Sequence, residues 1–295
     1  MKRVEPLAMI AAVLASLALL VSCSEQPAGE PAMRARLDGK PVETPAPVEV
    51  AAPAQDAAPA LADAVSACRT TVFEEVSLTH CVADPAQHRI AMANAPAGAP
   101  PYGSLPAFAA TQDASTIAFA TNGGAYGDDL KAIGYYVEGG DRLREFNRED
   151  APEATTSNFF MKPNGVFFGS QGTWQVLSTE AFYARISDRP QFGTQSGPML
   201  VIDGKLHPAI QDNGPSRAVR NGVGVDGEGK AHFVISDAPI SFGQLARFFR
   251  DDLKTANALY LDGQVSALWD PVRGRLDKAR NGPIIVVTKR EKAAS

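Results

Sequence analysis

Apolar residues are distributed along this chain in three different ways, and the changes between them mark its parts. Leu7 to Val21 is an almost unbroken apolar block behind the charges of Lys2 and Arg3. Ser24 to Asp63 is rich in alanine, proline and glutamate, with no aromatic residue and no periodic apolar spacing. From Ala64 onward, short apolar runs alternate with turn residues at close intervals.

The third regime reads as many short strands. Val76, Leu78 and His80 alternate with polar positions, as in a half-buried strand running to Cys81. Thr116 to Thr121 predicts a strand broken by Asn122-Gly-Gly. Ile133 to Val137 and Leu143 to Phe146 predict a hairpin about Gly139-Gly140. Val166-Phe-Phe with Trp174 to Leu177, and Gly222 to Val225 with His232 to Ile235, predict two more. Met199 to Ile202 is a strand ended by Asp203-Gly204, and Pro283 to Thr288 is the last one.

Helical spacing is rarer. Ser104 caps a short helix through Ala110, with Pro106 tolerated in its first turn. Thr179 to Ile186 is a second. Ser241 opens the strongest: with Gln244 it forms a capping box, and Phe242, Leu245, Ala246, Phe249 and Leu253 lie on one face. The expectation is an α+β fold: a single domain over residues 64–290 with a largely antiparallel or mixed multi-stranded sheet core and a few packed helices.

One stretch stands out against this background. Ala258 to Leu261 runs into Asp262-Gly263, and a second apolar run, Val265 to Trp269, follows. A buried strand would then deliver a carboxylate to its tip, with glycine turning the chain so that Ser266 sits beside it. The plain alternative is a hairpin turn, since Asp-Gly between two apolar runs is a strong hairpin signal.

Charge and cysteines narrow the setting. The formal net charge is −5 and the pI about 5.5, which argues against a nucleic-acid binder working through a basic face. Residues 1–22 predict a lipoprotein signal peptide: a basic start, an apolar block too short for a comfortable membrane span, and the close Leu20-Val-Ser-Cys23. Cys23 is then the acylated residue, anchoring the chain to a membrane on its periplasmic or extracellular face. Residues 23–63 cannot bury enough surface to order themselves and predict a disordered tether. In an oxidising compartment the two remaining cysteines, Cys68 and Cys81, are expected to pair.

Polar residues recur at strand ends. Asn122-Gly123-Gly124 suits a close backbone approach to a ligand or a nest of N–H groups, although Asn-Gly is also ordinary turn chemistry. Gln195, Ser196 and Gly197 precede the Met199 strand, and Arg220-Asn221 enters the next hairpin. Arginine's planar fork suits a phosphate, and a surface ion pair is its everyday use. Lys162, in a Pro-Asn-Gly turn, and His207, between Leu206 and Pro208, carry the same ambiguity. Zinc, P-loop and serine-hydrolase motifs are missing, and the four histidines have no ligand-like spacing. No cofactor is called for. Oxygen ligation of Ca²⁺ or Mg²⁺ by aspartate leaves little sequence trace, so the pattern neither demands nor removes such an ion. Nothing in it specifies an oligomer.

Taken in order, these runs resemble the phosphodiester glycosidase domain family, in its bacterial exported branch and with likeness to the mannose 6-phosphate uncovering enzyme domain. The likeness rests on Asn122-Gly-Gly, Lys162-Pro-Asn-Gly-Val-Phe, Thr194-Gln-Ser-Gly-Pro-Met-Leu-Val-Ile-Asp-Gly, Arg220-Asn-Gly-Val-Gly-Val and Asn257-Ala-Leu-Tyr-Leu-Asp-Gly, within Cys68 to Val287. It implies that Asn122 and Gly123 line a pocket, that Arg220 meets an anionic group, and that Asp262 and Ser266 stand at the reacting centre. Gly124, Lys162, Gln195, Ser196, His207, Asn221 and Gly263 complete the expected substrate-binding set. The family motif continues Asp-Gly-Gly-Gly-Ser, whereas Gln264 and Val265 occupy the later glycine positions here.

The expectation is therefore an exported lipoprotein hydrolase that cleaves a sugar phosphodiester of the glycosyl-1-phosphate type or a related envelope glycan. Asp262 would act either as base towards water or as nucleophile at the anomeric carbon. The alternative is a glycan-binding envelope lipoprotein that uses the same pocket without turnover.

Overall fold

A computed structural model describes residues 64–152, 157–262 and 265–291. The signal segment, the tether, Cys23 and Gly263 lie outside the described residues. In chain order the first strands are β1 (Cys68–Phe73), β2 (Val76–Ala83), β3 (His88–Ala93), β4 (Ile117–Asn122), β5 (Tyr136–Glu138) and β6 (Asp141–Arg144). Next come β7 (Gly165–Ser170), β8 (Thr173–Ser178), β9 (Phe192–Ser196), β10 (Met199–Ile202) and β11 (Lys205–Leu206). The last are β12 (Asn221–Val225), β13 (Ala231–Ser236), β14 (Asn257–Tyr260), β15 (Leu268–Asp270), β16 (Arg275–Leu276) and β17 (Ile284–Lys289). Three α-helices accompany them: α1 (Leu105–Ala109), α2 (Thr179–Arg185) and α3 (Phe242–Arg247).

The strands form three sheets: β1-β2-β13-β12-β14-β10-β11, β16-β15-β4-β17-β3, and β6-β5-β9-β7-β8. The described ladders are antiparallel throughout. Strand alternation explains how the sheets share one interior. Leu259 and Leu261 along the β14 line, Phe233 of β13, Phe119 of β4, Ile285 of β17 and Phe167 of β7 all join a single core. The alternate positions face outwards, and a helix covers each sheet there. α3 lies over Leu200, Ala258 and Tyr260, α1 over Ile284 and Val286, and α2 over Val166 and Phe168. The expected capping serines Ser104 and Ser241 are in place, and Ser178 caps the remaining helix in the same way, each accepting from the backbone N–H three residues on.

The α+β class, antiparallel strands and scarce helices match the sequence reading, and Cys68 is bonded to Cys81 across β1 and β2. Three features differ from it. Asp262-Gly263 does not join a hairpin, because β14 belongs to the first sheet and β15 to the second; the chain crosses between sheets there. Phe192–Ser196 is a fully buried strand rather than a polar mouth before β10. The helix opened by Ser241 widens into a π-turn over Phe248–Asp252. Phe248 packs there against Phe73 at 5.2 Å between ring centroids, and Phe249 is buried as well.

A buried polar chain lies under the same helix. His80 Nε2 and His232 Nδ1 are 2.9 Å apart, and His232 Nε2 is 2.9 Å from Asp226 Oδ2. Burial, reinforced by the charges of His232 and Arg69, pushes His80 down to about 3 from its ordinary 6.5. The unfolded chain takes up this proton as pH falls through its ordinary value, and the folded chain does so only near the depressed one. The contribution is therefore present above about 6.5 and is lost as pH falls towards 3. His80→Leu should flatten the acid side of the stability curve across that window, by a few kcal/mol at most. Denaturant unfolding at a series of pH values measures the slope. An unchanged slope would show that His80 does not stay neutral in the folded protein.

Candidate active site

One strand end from each sheet reaches the same place. β4 ends at Asn122, β9 ends at Ser196, and β12 begins at Asn221 beside the Leu261–Asp262 extension of β14. Asn122 joins them. Its Oδ1 accepts from Asn221 Nδ2 at 2.8 Å and from Ala267 N–H at 2.9 Å, and its Nδ2 donates to Val265 O at 3.0 Å. Thr121 Oγ1 donates to Ala267 O at 2.8 Å. Ser196 Oγ donates to Leu261 O. Ser266, half-buried, donates from its hydroxyl towards Val219 O at 3.2 Å and Asn221 Oδ1 at 3.4 Å. Asn122, Asn221 and Ser266 thus share one hydrogen-bonded group, Ser196 reaches its edge through Leu261 O, and Asp262 is the next residue along the chain.

Asp262 is 8% exposed, which puts its carboxylate at the lip of the protein rather than in open water. Its charge bears on two phenols. Tyr126, in the loop after β4, is pushed up to about 12 by burial first and then by Asp262. Its hydroxyl donates to Arg280 O at 3.0 Å. Tyr260 is pushed up by burial, with Arg220 opposing and Asp262 adding to the rise. Both tyrosines escaped the sequence reading. The usable signals were the aromatic that closes Asn122-Gly-Gly-Ala-Tyr126 and the alternation that sets Tyr260 and Asp262 on one side of their strand.

Arg220 is not a surface fork. It is 1% exposed, with Nε donating to Ile240 O at 2.9 Å, Nη1 to Tyr260 Oη at 3.2 Å, and Nη2 to Ser216 O at 3.2 Å and Ser216 Oγ at 2.9 Å. The guanidinium carbon stands 3.6 Å from the centroid of the Phe242 ring. Phe242 and Ser216 in turn line a cleft of about 190 Å³ with Met161, Ile210 and Gln211.

The remaining predicted residues have other tasks. Gly123 N–H donates to Pro283 O at 2.6 Å and Gly124 N–H to Thr194 Oγ1 at 3.1 Å, so the two amides are spent inside the fold and do not make an anion nest. Gly124 is needed for closeness: a Cβ there would overlap Gln195 O and stand 2.6 Å from Thr194 Oγ1. Gln195 is an internal clamp. Its Oε1 accepts from Tyr135 N–H at 2.9 Å and Asn147 N–H at 3.0 Å, and its Nε2 donates to Asn147 O at 2.8 Å and Thr179 Oγ1 at 3.0 Å. With every donor and lone pair engaged, it has none left for a ligand.

Lys162 lies apart, bonded to Arg148 O at 2.9 Å and Asp150 Oδ1 at 2.8 Å beside a cleft of about 300 Å³. His207 is buried, accepts from Ala209 N–H at 3.1 Å, and is pushed below its ordinary range by burial, with the Lys162 carbonyl pulling weakly the other way. A roomier cleft of about 480 Å³, floored by Tyr135 and Phe182, shares no residue with the Asn122–Asp262 cluster. Among the described residues no group of three or more His, Cys, Asp or Glu is placed to hold a metal.

The family profile described as "Phosphodiester glycosidase" matches residues 115–283, which include the whole cluster. The chain is similar to "Uncharacterized protein YigE" of Escherichia coli (strain K12), with 32% identity over 187 residues, covering 63% of this chain and 71% of that protein. Among solved structures it is similar to the zebrafish N-acetylglucosamine-1-phosphodiester alpha-N-acetylglucosaminidase catalytic domain, auto-inhibited by its pro-peptide. That likeness has a TM-score of 0.51 and 14% identity, covering 76% of this chain and 82% of that one, and it shows a shared fold. The matched stretch leaves out β1, β2, β3, α1 and β17, yet β2 pairs with β13 and β17 with β4 inside it.

The closeness at Gly124 is testable. Gly124→Ala should destabilise the protein by roughly 2 kcal/mol or more, because backbone on both sides of the contact must move. Thermal melting measures it, and a variant that melts with the wild type would mean that this seam is loose.

Proposed function

The chain belongs to the phosphodiester glycosidase family, and on that footing we propose that it hydrolyses a sugar phosphodiester of the glycosyl-1-phosphate type, presented on an envelope glycan, with Asp262 as the reacting group. The observation that supports this most is the place of Asp262: at the crossing between two sheets, nearly buried, and next in the chain to Leu261, whose carbonyl accepts from Ser196 and whose N–H donates to Asn221 O. A carboxylate held there meets a substrate at a fixed position, which is what lowers a barrier.

In the reaction, the bond between the anomeric carbon and the phosphate oxygen breaks, and the phosphate monoester leaves with the electron pair. Oxygen from water ends on the sugar. Asp262 either takes the water's proton directly or first forms a glycosyl ester that water then cleaves. A phosphate is a good leaving group, so a single carboxylate suffices. Ser266, half-buried on the same crossing, would donate to a phosphate oxygen as charge builds there by turning its one hydroxyl proton away from Val219 O and Asn221 Oδ1.

A panel of sugar-1-phosphodiesters incubated with the purified protein, with assay for free sugar, tests the reading. Asp262→Asn should lower turnover by about 10²-fold or more while the protein stays folded by circular dichroism. The anomer first released tells base from nucleophile: inversion for the former, retention for the latter. Saturable binding of the panel with no product from the wild type would favour the glycan-binding alternative.

The setting belongs to the same proposal. Cys23, acylated, would hold the domain on a tether at the membrane, facing the periplasm or the exterior, where envelope glycans are met. Mass spectrometry of the membrane fraction should find the mature N-terminus at a lipid-bearing Cys23. A soluble protein that begins at Ser24 would remove the anchor from the proposal.

A further inference from the structure

Arg220 raises a problem that its hydrogen bonds do not solve. A guanidinium taken out of water keeps its charge, and bonds to neutral oxygens stabilise that charge without neutralising it. Ile240 O, Tyr260 Oη, Ser216 O and Ser216 Oγ are all neutral partners, and the Phe242 face adds only a cation–π contact.

The ladder between β12 and β14 shows where a counter-charge lies. Val225 pairs with Asn257, Gly224 with Ala258, Val223 with Leu259 and Gly222 with Tyr260. Leu261 N–H then donates to Asn221 O at 3.3 Å, which carries the pairing one residue further. The next pair in this register is Arg220 with Asp262. Alternation puts both on the outer side of the sheet, with Gly222 and Tyr260 and away from Leu259 and Leu261 of the shared core. Opposed residues on one face have Cβ atoms about 5 Å apart, close enough for opposite charges to attract through a poorly solvated interior. Tyr260, which accepts from Arg220 Nη1, feels both charges, one in each direction.

We propose that Arg220 is a positioning residue for Asp262: its buried guanidinium is the counter-charge that keeps this carboxylate ionised at the lip of the site, and it does not grip the substrate's phosphate. The significance for turnover rests on Asp262 being the reacting group, whereas the pairing itself is tested without any substrate. An ionised carboxylate is the form that either base or nucleophile requires. Among the described residues, the titratable or charged groups whose fields meet that of Asp262 include Arg220 from β12, Tyr260 from β14, and Tyr126 of the loop after β4 with Arg280 beside it. The two phenols stay neutral throughout the carboxylate range and Arg280 is exposed and screened by water, so the removal of buried Arg220 should move Asp262 most.

The experiment is a carbon-13 titration of the purified full chain labelled at aspartate Cγ, with Asp262→Asn identifying the resonance. Arg220→Met should raise the Asp262 midpoint by at least one pH unit, a tenfold weakening of its acidity. Arg220→Lys, which keeps the charge and loses the fork, should return most of that shift. A midpoint in Arg220→Met equal to that of the wild type overturns the proposal, and so does a Lys variant that titrates like the Met variant. If Arg220→Met does not fold well enough for the titration, melting at pH 8 decides. With Asp262→Asn added, the double variant should melt above Arg220→Met alone, because the carboxylate left without its counter-charge has been removed. A double variant that melts no higher than Arg220→Met assigns Arg220 to the fold alone and overturns the proposal.

Discussion

The carboxamide of Asn122 is the contact on which the site depends. It is fully buried and ties the last residue of β4 to Asn221 at the head of β12 and to Val265 and Ala267 on the crossing segment. Water is excluded there, so each of these polar groups must find its partner within the protein or cost a large part of the seam's stability. Asparagine suits the position because one planar group donates and accepts at once. An aspartate would offer only acceptors and would add a charge between two sheets that carry none there.

That seam has a mechanical consequence. Three antiparallel sheets wrapped about one interior have their strand ends held by few covalent connections, so the geometry where they meet depends on side chains. Asn122 fixes the second sheet to the first, Ser196 Oγ fixes the third sheet to Leu261, and Gly124 lets the loop after β4 touch the backbone of β9. Asp262 follows Leu261 directly. Its position is therefore set from all three sheets, which is how a group outside regular secondary structure comes to be placed as firmly as one within it.

Much of the fold was legible because periodicity is local. The strand at Val76–Cys81, the hairpin of β12 and β13 and the N-cap at Ser241 each read correctly from a few neighbouring residues, although β2 is buried on both faces from Leu78 to Cys81 and the Gln244 side chain turns to Arg217 and Glu74 O instead of closing a capping box. β9 did not: Thr194, Gln195 and Ser196 are polar, and only tertiary bonds to Tyr135, Asn147, Thr179 and Leu261 make them a buried strand. The same limit governs the site. The nearness of Asn122, Asn221 and Ser266 was visible as polar residues at strand ends. The spending of the Gly123 and Gly124 amides and the burial of Arg220 were not, since an isolated N–H or guanidinium in a sequence carries no sign of who will claim it. Asp262-Gly263 left two readings open for the related reason that a turn signal does not say whether the next strand returns to the same sheet.

The distribution of charge follows from the same seam. Where the sheets meet, the fold uses amides and hydroxyls, Asn122, Asn221, Ser196, Thr121 and Ser266, which satisfy one another without leaving net charge in a poorly solvated place. Charge is kept to the edge of this junction: Arg220 and Asp262 follow the last pair of the β12–β14 ladder, and Tyr260 feels both of their fields. A neutral junction keeps the carboxylate's surroundings from shifting with the protonation of its supports. The backbone sets where the carboxylate stands, and in the proposed pairing Arg220 sets its charge. The rigidity of the site and the reactivity of its carboxylate therefore come from different residues, and substitution can alter one while leaving the other in place.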